Sequence, residues 1–179
     1  IRLLLEDKTG KLWFGAQLED MFVYDARPDS IGGKTFTVLK NKDGKAFNNV
    51  WSIIEDKKGS IWFGVLGGSA NGLWRYDGSD FTKVSESGVY AVIEDKKGNI
   101  WTTGENPGEG VWALSRYDQK SLYNEKPSVT EIISGPPALL GLLEANDGSI
   151  WFGGMGSFMG VYRYDGKTIT DFKSKEGQK

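Results

Sequence analysis

Residues 55–64 read EDKKGSIWFG, and residues 94–103 read EDKKGNIWTT. Two looser copies share the pattern, EDKTGKLWFG at 6–15 and EANDGSIWFG at 144–153. Four versions of one ten-residue phrase within 179 residues make repetition the first fact about this chain. Architecture is therefore read from what the copies share, and function from what they do not.

The tryptophans of the phrase, Trp13, Trp62, Trp101 and Trp151, lie 49, 39 and 50 residues apart. That period matches propeller blades and exceeds that of leucine-rich or ankyrin units. Around Trp62 the unit divides into NVWSIIED, KKG, SIWFGVL, GGSANG, LWRYD, GSD and FTKVSE. Four short β-rich runs alternate with Gly, Asn, Asp and Ser, which predicts a four-stranded meander. LWRYDG at 73–78 returns as VYRYDG at 161–166, LSRYDQ at 114–119 and the weaker MFVYDA at 21–26. Runs such as SIIE and IWFG are apolar without alternation, as expected when both faces of a sheet are covered. The D-x-x-G step predicts a hairpin in which Asp accepts turn N–H groups and Gly takes positive φ. Asp7/Gly10, Asp56/Gly59 and Asp95/Gly98 supply it, while the fourth unit is read as carrying an extra residue, with Asn146, Asp147 and Gly148 making its turn. The expected fold is an all-β, single-domain propeller over 1–179, with blades at about 1–49, 50–88, 89–138 and 139–179. No blade is shared between the termini, so closure would rest on blade packing. Three arrangements stay open: a closed four-bladed ring, two chains forming an eight-bladed homodimer, or blades of a longer parent.

Composition narrows the chemistry. The 22 basic and 24 acidic residues give a net charge of -2. No electrostatic footprint for nucleic acid results, and no apolar run approaches a membrane span. The chain opens on Ile1 rather than Met, which suggests a mature form or an excised segment. With no Cys and no His, thiol chemistry and the commonest general base and metal ligand are missing. No catalytic constellation is apparent, and the expected protein is not an enzyme.

The pattern V-x-x-I-x-E-D-x-x-G-x-I-W-F-G followed by G-L-x-R-Y-D-G-x-x-F-T resembles the two-component regulator propeller repeat. The resemblance runs through all four units and implies a periplasmic or extracellular sensor region of a bacterial hybrid two-component system, in a family that often detects polysaccharide fragments. Such sensors carry many more repeats, a β-sandwich, a membrane helix and a kinase, so kinase activity is not carried over. The G-x-I-W-F stretch also resembles the streptogramin lyase propeller, whose chemistry relies on a His this chain lacks. Gluconolactonase-like propellers suggest calcium as the one cofactor to consider, held by inward Glu, Asn or Asp.

Shared residues read first as structure. The column Glu6, Glu55, Glu94 and Glu144 is expected to cap neighbouring turns or pair with Lys, and the four repeat tryptophans to pack between blades. The Arg-Tyr-Asp triplets at 75–77, 116–118 and 163–165 are expected to be turn and salt-bridge pieces. Function is sought in the loops AQLED, VLGGSANG, GENPGEGVWA, GMGSFMG, KDGKAFNN, SESG and SGPP. The second position of the inner strand differs in every unit: Arg2, Trp51, Tyr90 and Leu140. Arg2, Asn49, Trp51, Tyr90, Glu105 and Asn106 are the candidate mouth for a small molecule or oligosaccharide, aromatic faces taking C–H surface and polar groups the hydroxyls. Ordinary packing at a blade edge is the competing reading. Met155, Phe158 and Met159 form either an apolar lip or a tucked-in loop. A ligand-sensing module and a protein-interaction scaffold are the two principal readings.

Overall fold

The computed structural model describes residues 3–25, 35–106, 110–135 and 138–172. Among the described residues sixteen strands form four antiparallel meanders, each with its strands in chain order. Sheet one holds β1 (Leu3–Glu6), β2 (Leu12–Gly15), β3 (Phe22–Asp25) and β4 (Thr35–Val38). Sheet two holds β5 (Val50–Glu55), β6 (Ile61–Val65), β7 (Gly72–Tyr76) and β8 (Phe81–Ser85). Sheet three holds β9 (Gly88–Glu94), β10 (Ile100–Glu105), β11 (Trp112–Tyr117) and β12 (Val129–Ser134). Sheet four holds β13 (Leu139–Glu144), β14 (Ile150–Gly154), β15 (Gly160–Tyr164) and β16 (Ile169–Asp171). These are the four blades that the repeat predicts. The chain divides into two compact units, Ile1–Val89 and Tyr90–Lys179.

The repeated phrase folds identically in the first three sheets. Asp7 Oδ1 accepts the N–H groups of Thr9 at 2.8 Å and Lys11 at 3.0 Å, while its Oδ2 accepts the Trp13 indole N–H at 2.8 Å. Asp56 does the same for Lys58, Ser60 and Trp62, and Asp95 for Lys97, Asn99 and Trp101. Gly10, Gly59 and Gly98 close these turns with φ of 82°, 89° and 86°, a region that favours Gly. Each carboxylate thus ties the hairpin turn to a buried Trp on the second strand. The Asp does more than the turn role expected of it.

Sheet four departs from this scheme. Gly148 N–H donates to the Ala145 carbonyl and Ala145 N–H to the Ser149 carbonyl, the same frame as Asp56–Ser60. The expected extra residue is therefore absent: Ala145 simply stands where the other turns have Asp. Asp147 instead accepts from Ser149 N–H and Oγ, and the Trp151 indole donates to Ser149 Oγ at 3.0 Å. Trp151 is half-buried, whereas Trp13, Trp62 and Trp101 are buried.

In the first unit, Trp13 joins Phe63, Val65 and Trp74 in one core, with Tyr76 of sheet two 5.4 Å from the Trp13 ring. Gly15 ends the phrase because β5 passes over it; a Cβ there would lie 3.3 Å from Val50. Phe47 anchors this core, its ring 4.9 Å from those of Phe63 and Trp74. Within the segment KDGKAFNN, considered above for recognition, Phe47 thus supplies packing. In the second unit Trp101, Leu114, Phe152 and Tyr162 are buried together, and Tyr164 lies 6.1 Å from Trp101. Phe158 tucks in, stacked at 4.2 Å on Tyr162, while Met155 and Met159 remain exposed.

Two outcomes follow from this staple. Trp62→Ala is expected to destabilise the protein by about 3–5 kcal/mol, measured by denaturant unfolding, the usual cost of truncating a buried large aromatic. Acid is expected to weaken the fold at Asp7 and Asp95. Burial opposes ionisation at both, but the Thr9, Trp13 and Lys11 bonds at Asp7, and the Trp101, Asn99 and Lys97 bonds at Asp95, outweigh it. Both pKa values fall below 3.8. A depressed carboxylate stabilises above its unfolded value and ceases to do so as pH falls through its folded value. Melting temperature should hold between about pH 7 and 5 and decline below about 4, and Asp95→Asn should flatten part of that decline.

Candidate functional site

The inner-strand entry of each unit is built differently from the packing positions. In the first unit, Val50 pairs with Val65 and Ser52 with Gly64, so Trp51 is the extra residue of a β-bulge. A bulge interrupts the alternation of the ladder and re-aims a side chain. Asn49 precedes it with φ of 57°, a conformation Asn tolerates better than most residues. Its Oδ1 accepts the Trp51 indole N–H at 3.1 Å, and its Nδ2 donates to the Leu66 carbonyl. Asn49 therefore orients Trp51. Its N–H is held in this way, and the Trp51 ring is half-buried. In sheet four the corresponding bulge falls one residue later, at Gly141, and Leu140 stays in register with Gly153.

In the second unit, Tyr90 is half-buried and lies 6.2 Å from Trp112, the rings tilted by 55°. Glu105 pairs across the ladder with Trp112. Asn106 N–H donates to the Val111 carbonyl at 2.8 Å, and its amide reaches Glu131 Oε1 at 3.5 Å. Tyr90 is thus one ring of an aromatic pair, with Glu105 opposite Trp112 in the ladder and Asn106 next to Glu105 in sequence. Trp112 is the residue that sequence reasoning missed. The signal was present in GENPGEGVWA, where a Trp occupies the place that Asn71 takes in sheet two. Arg2 lies outside the described residues.

The acidic column is structural where its bonds are seen. Glu55 Oε2 accepts Lys8 N–H at 2.9 Å, and Glu144 Oε2 accepts Lys96 N–H at 2.8 Å. Each glutamate thereby caps the turn of the preceding sheet, and the lysine amine returns to the Asp56 carbonyl or to those of Ala145 and Asn146. The Arg-Tyr-Asp triplets also behave as turn pieces. Tyr76 and Tyr164 hydroxyls donate to Gly78 and Gly166 carbonyls, and Arg163 bridges to Asp147 at 3.0 Å. The Asp80 and Ser79 backbone N–H groups hold the Asp77 carboxyl down at about 2, and those of Thr168 and Lys167 do the same for Asp165. Among the described residues no three acidic side chains gather as a metal site.

A cleft of about 380 Å³ in the second unit lies at the opposite, turn end of the strands, lined by Asp95, Trp101, Arg116, Glu144, Asp147 and Tyr164. Its equivalent in the first unit is a crevice of about 90 Å³ beside Asp7, Trp13, Glu55 and Tyr76. Its carboxylates are already committed to turns and indoles, so volume alone does not make it the better site.

Residues 44–67 match the family described as two component regulator propeller. No curated protein matches the chain's sequence. Among solved structures, the extracellular domain of the hybrid two-component system BT4673 from B. thetaiotaomicron is similar at TM-score 0.67 and 20% identity. That match covers 96% of this chain and 24% of the other. A second structure of that domain, described as a one-component system, gives 0.68 and 20%, over 94% of this chain and 21% of the other. PorZ, a surface component of the type-IX secretion system of Porphyromonas gingivalis, gives 0.53 and 12%, over 83% and 24%. The chain spans about a quarter or less of these structures, and the likeness is one of fold.

The Asn49 geometry yields a two-part expectation. Asn49→Gly keeps the backbone conformation and loses only the amide, whereas Asn49→Ala loses both. The Ala variant should be less stable than the Gly variant by roughly 1–2 kcal/mol, the cost of a left-handed non-Gly residue, read from paired urea titrations.

Proposed function

We propose that this chain is a non-catalytic ligand-sensing propeller segment acting in the periplasm or outside the cell, with carbohydrate fragments as its ligands. The observation that carries the reading is the half-buried Trp51, lifted out of ladder alternation by its bulge and with its indole N–H held by Asn49. A ring so held presents the C–H-binding face that a sugar uses, and it breaks the repeat at that position. The Tyr90–Trp112 pair beside Glu105 and Asn106 supplies the same chemistry in the second unit: two rings for stacking, a carboxylate and an amide for hydroxyls. The two-component regulator propeller repeat at 44–67 and the likeness to an extracellular domain of a two-component system support a sensing role.

Calorimetry against a panel of neutral and acidic oligosaccharides, with calcium run in parallel, tests this reading. Trp51→Ala, Tyr90→Ala and Trp112→Ala are each tested for binding and melting temperature. Loss of about 1–3 kcal/mol of binding at one or more of these rings, with melting nearly unchanged, is expected, the range of buried aromatic hot spots. No heat with any glycan, or binding indifferent to all three substitutions, would show that these rings serve only packing.

A further inference from the structure

Within each unit two sheets pack face to face, sheet one on sheet two and sheet three on sheet four, and the two contacts use the same pair of faces. In the first unit, the Trp13 side of sheet one meets a side of sheet two formed by the cross-strand rows Ile53–Phe63–Trp74 and Ile61–Tyr76–Phe81. Phe63, Trp74 and Ile61 are buried there. In the second unit, the Trp101 side of sheet three meets the corresponding side of sheet four, where Phe152, Tyr162 and Ile150 are buried. A polar clasp accompanies both contacts, from Glu55 to Lys8 N–H and from Glu144 to Lys96 N–H.

Sheet one carries the receiving face as well, built from the rows Leu4–Phe14–Phe22–Val38 and Leu12–Tyr24–Phe36. Its rings pack among themselves, Phe14 on Phe22 at 4.8 Å and Tyr24 on Phe36 at 4.6 Å. Yet Leu4 is 70% exposed and Phe36 67%, and Glu6, in register with the clasping glutamates, is exposed too. Sheet four carries the complementary Trp face. There Trp151 is half-buried under Phe172 at 5.1 Å, while Leu143 is 62% exposed and Val161 49%. Contiguous apolar surface of this kind is rare on a solitary soluble protein.

We propose that the Leu4–Phe36 face of sheet one docks the Leu143–Trp151 face of sheet four in a second copy of this chain. Both halves of the interface are on one sequence, and the protein already realises the same fit inside each unit. Glu6 of one copy then accepts the backbone N–H of Asn146 in the other copy, as Glu55 accepts that of Lys8. Asn146 stands where the other turns have Lys, so this junction lacks the lysine amine and should be weaker than the internal ones. The contact is heterologous, joining unlike faces; formed twice, once in each direction, it closes two copies into a set of eight blades, the upper end of the propeller range.

Sedimentation equilibrium of the 179-residue chain between about 1 and 100 µM tests this, the range in which an interface of standard size associates. A monomer–dimer equilibrium is expected. Leu4→Asp and Leu143→Asp alter exposed side chains, so melting temperature should hold while association weakens at least tenfold in each. Mixing the two variants should restore association, because the intact sheet-one face of one meets the intact sheet-four face of the other. A wild-type monomer at every concentration would overturn the proposal. A dimer indifferent to both substitutions, or variants that fail to rescue each other, would overturn it as well.

Discussion

The hydrogen bond between a buried indole N–H and the second oxygen of a turn aspartate is the interaction on which the rest depends. It joins two problems that a small sheet must solve. A tight hairpin leaves backbone N–H groups without ladder partners, and a large aromatic in a core needs an acceptor for its one polar atom. One carboxylate answers both, taking two turn N–H groups on one oxygen and the indole on the other in the first three sheets. Bonds to an ionised acceptor are stronger than neutral ones, so the staple is worth most where Asp is retained. Sheet four lacks it: with Ala145 in the Asp position, the Trp151 indole donates instead to a neutral serine hydroxyl.

Adjacent sheets are held by a second, longer-range version of the same device. Glu55 and Glu144 end their inner strands by reaching back to a turn N–H in the sheet before, 47 or 48 residues away in sequence. In the first three copies of the phrase Glu and Lys flank the turn aspartate, so each of those carries both halves of the clasp. A repeat of this kind propagates by nearest-neighbour contacts, and its end faces retain the valences that its internal faces have satisfied.

Much of this was legible in the sequence, and the rest was hidden for physical reasons. The period of the tryptophans and the strand-turn punctuation predict four meanders. The doubly apolar strands imply covered faces, and Glu55, Glu144 and the Arg-Tyr-Asp triplets read correctly as structural. The fourth turn was misread because Asn146 and Asp147 look like a displaced Asp-x-x-Gly, whereas backbone bonding shows an ordinary turn with Ala145 in place of Asp. Phe47 looked like loop because its segment is Gly-, Asn- and Lys-rich, and only three-dimensional closure brings its ring against Phe63 and Trp74. The Trp51 bulge and the Tyr90–Trp112 pair depend on strand register, which a one-residue slip reverses and which local sequence does not encode. At the candidate site, Trp51 and Tyr90 were legible as breaks in the repeat, while the orienting role of Asn49 needed coordinates.

The staple makes a direct statement about the protons it involves. Hydrogen exchange of the seven tryptophan indole N–H groups, followed by nitrogen-15 NMR, reads each one separately. The account predicts that Trp13, Trp62 and Trp101 exchange slowest, at rates approaching global unfolding, and that the half-buried Trp151 and Trp51 exchange much faster. If the Trp62 indole exchanged as fast as Trp51, the buried carboxylate bond could not be what holds the blades.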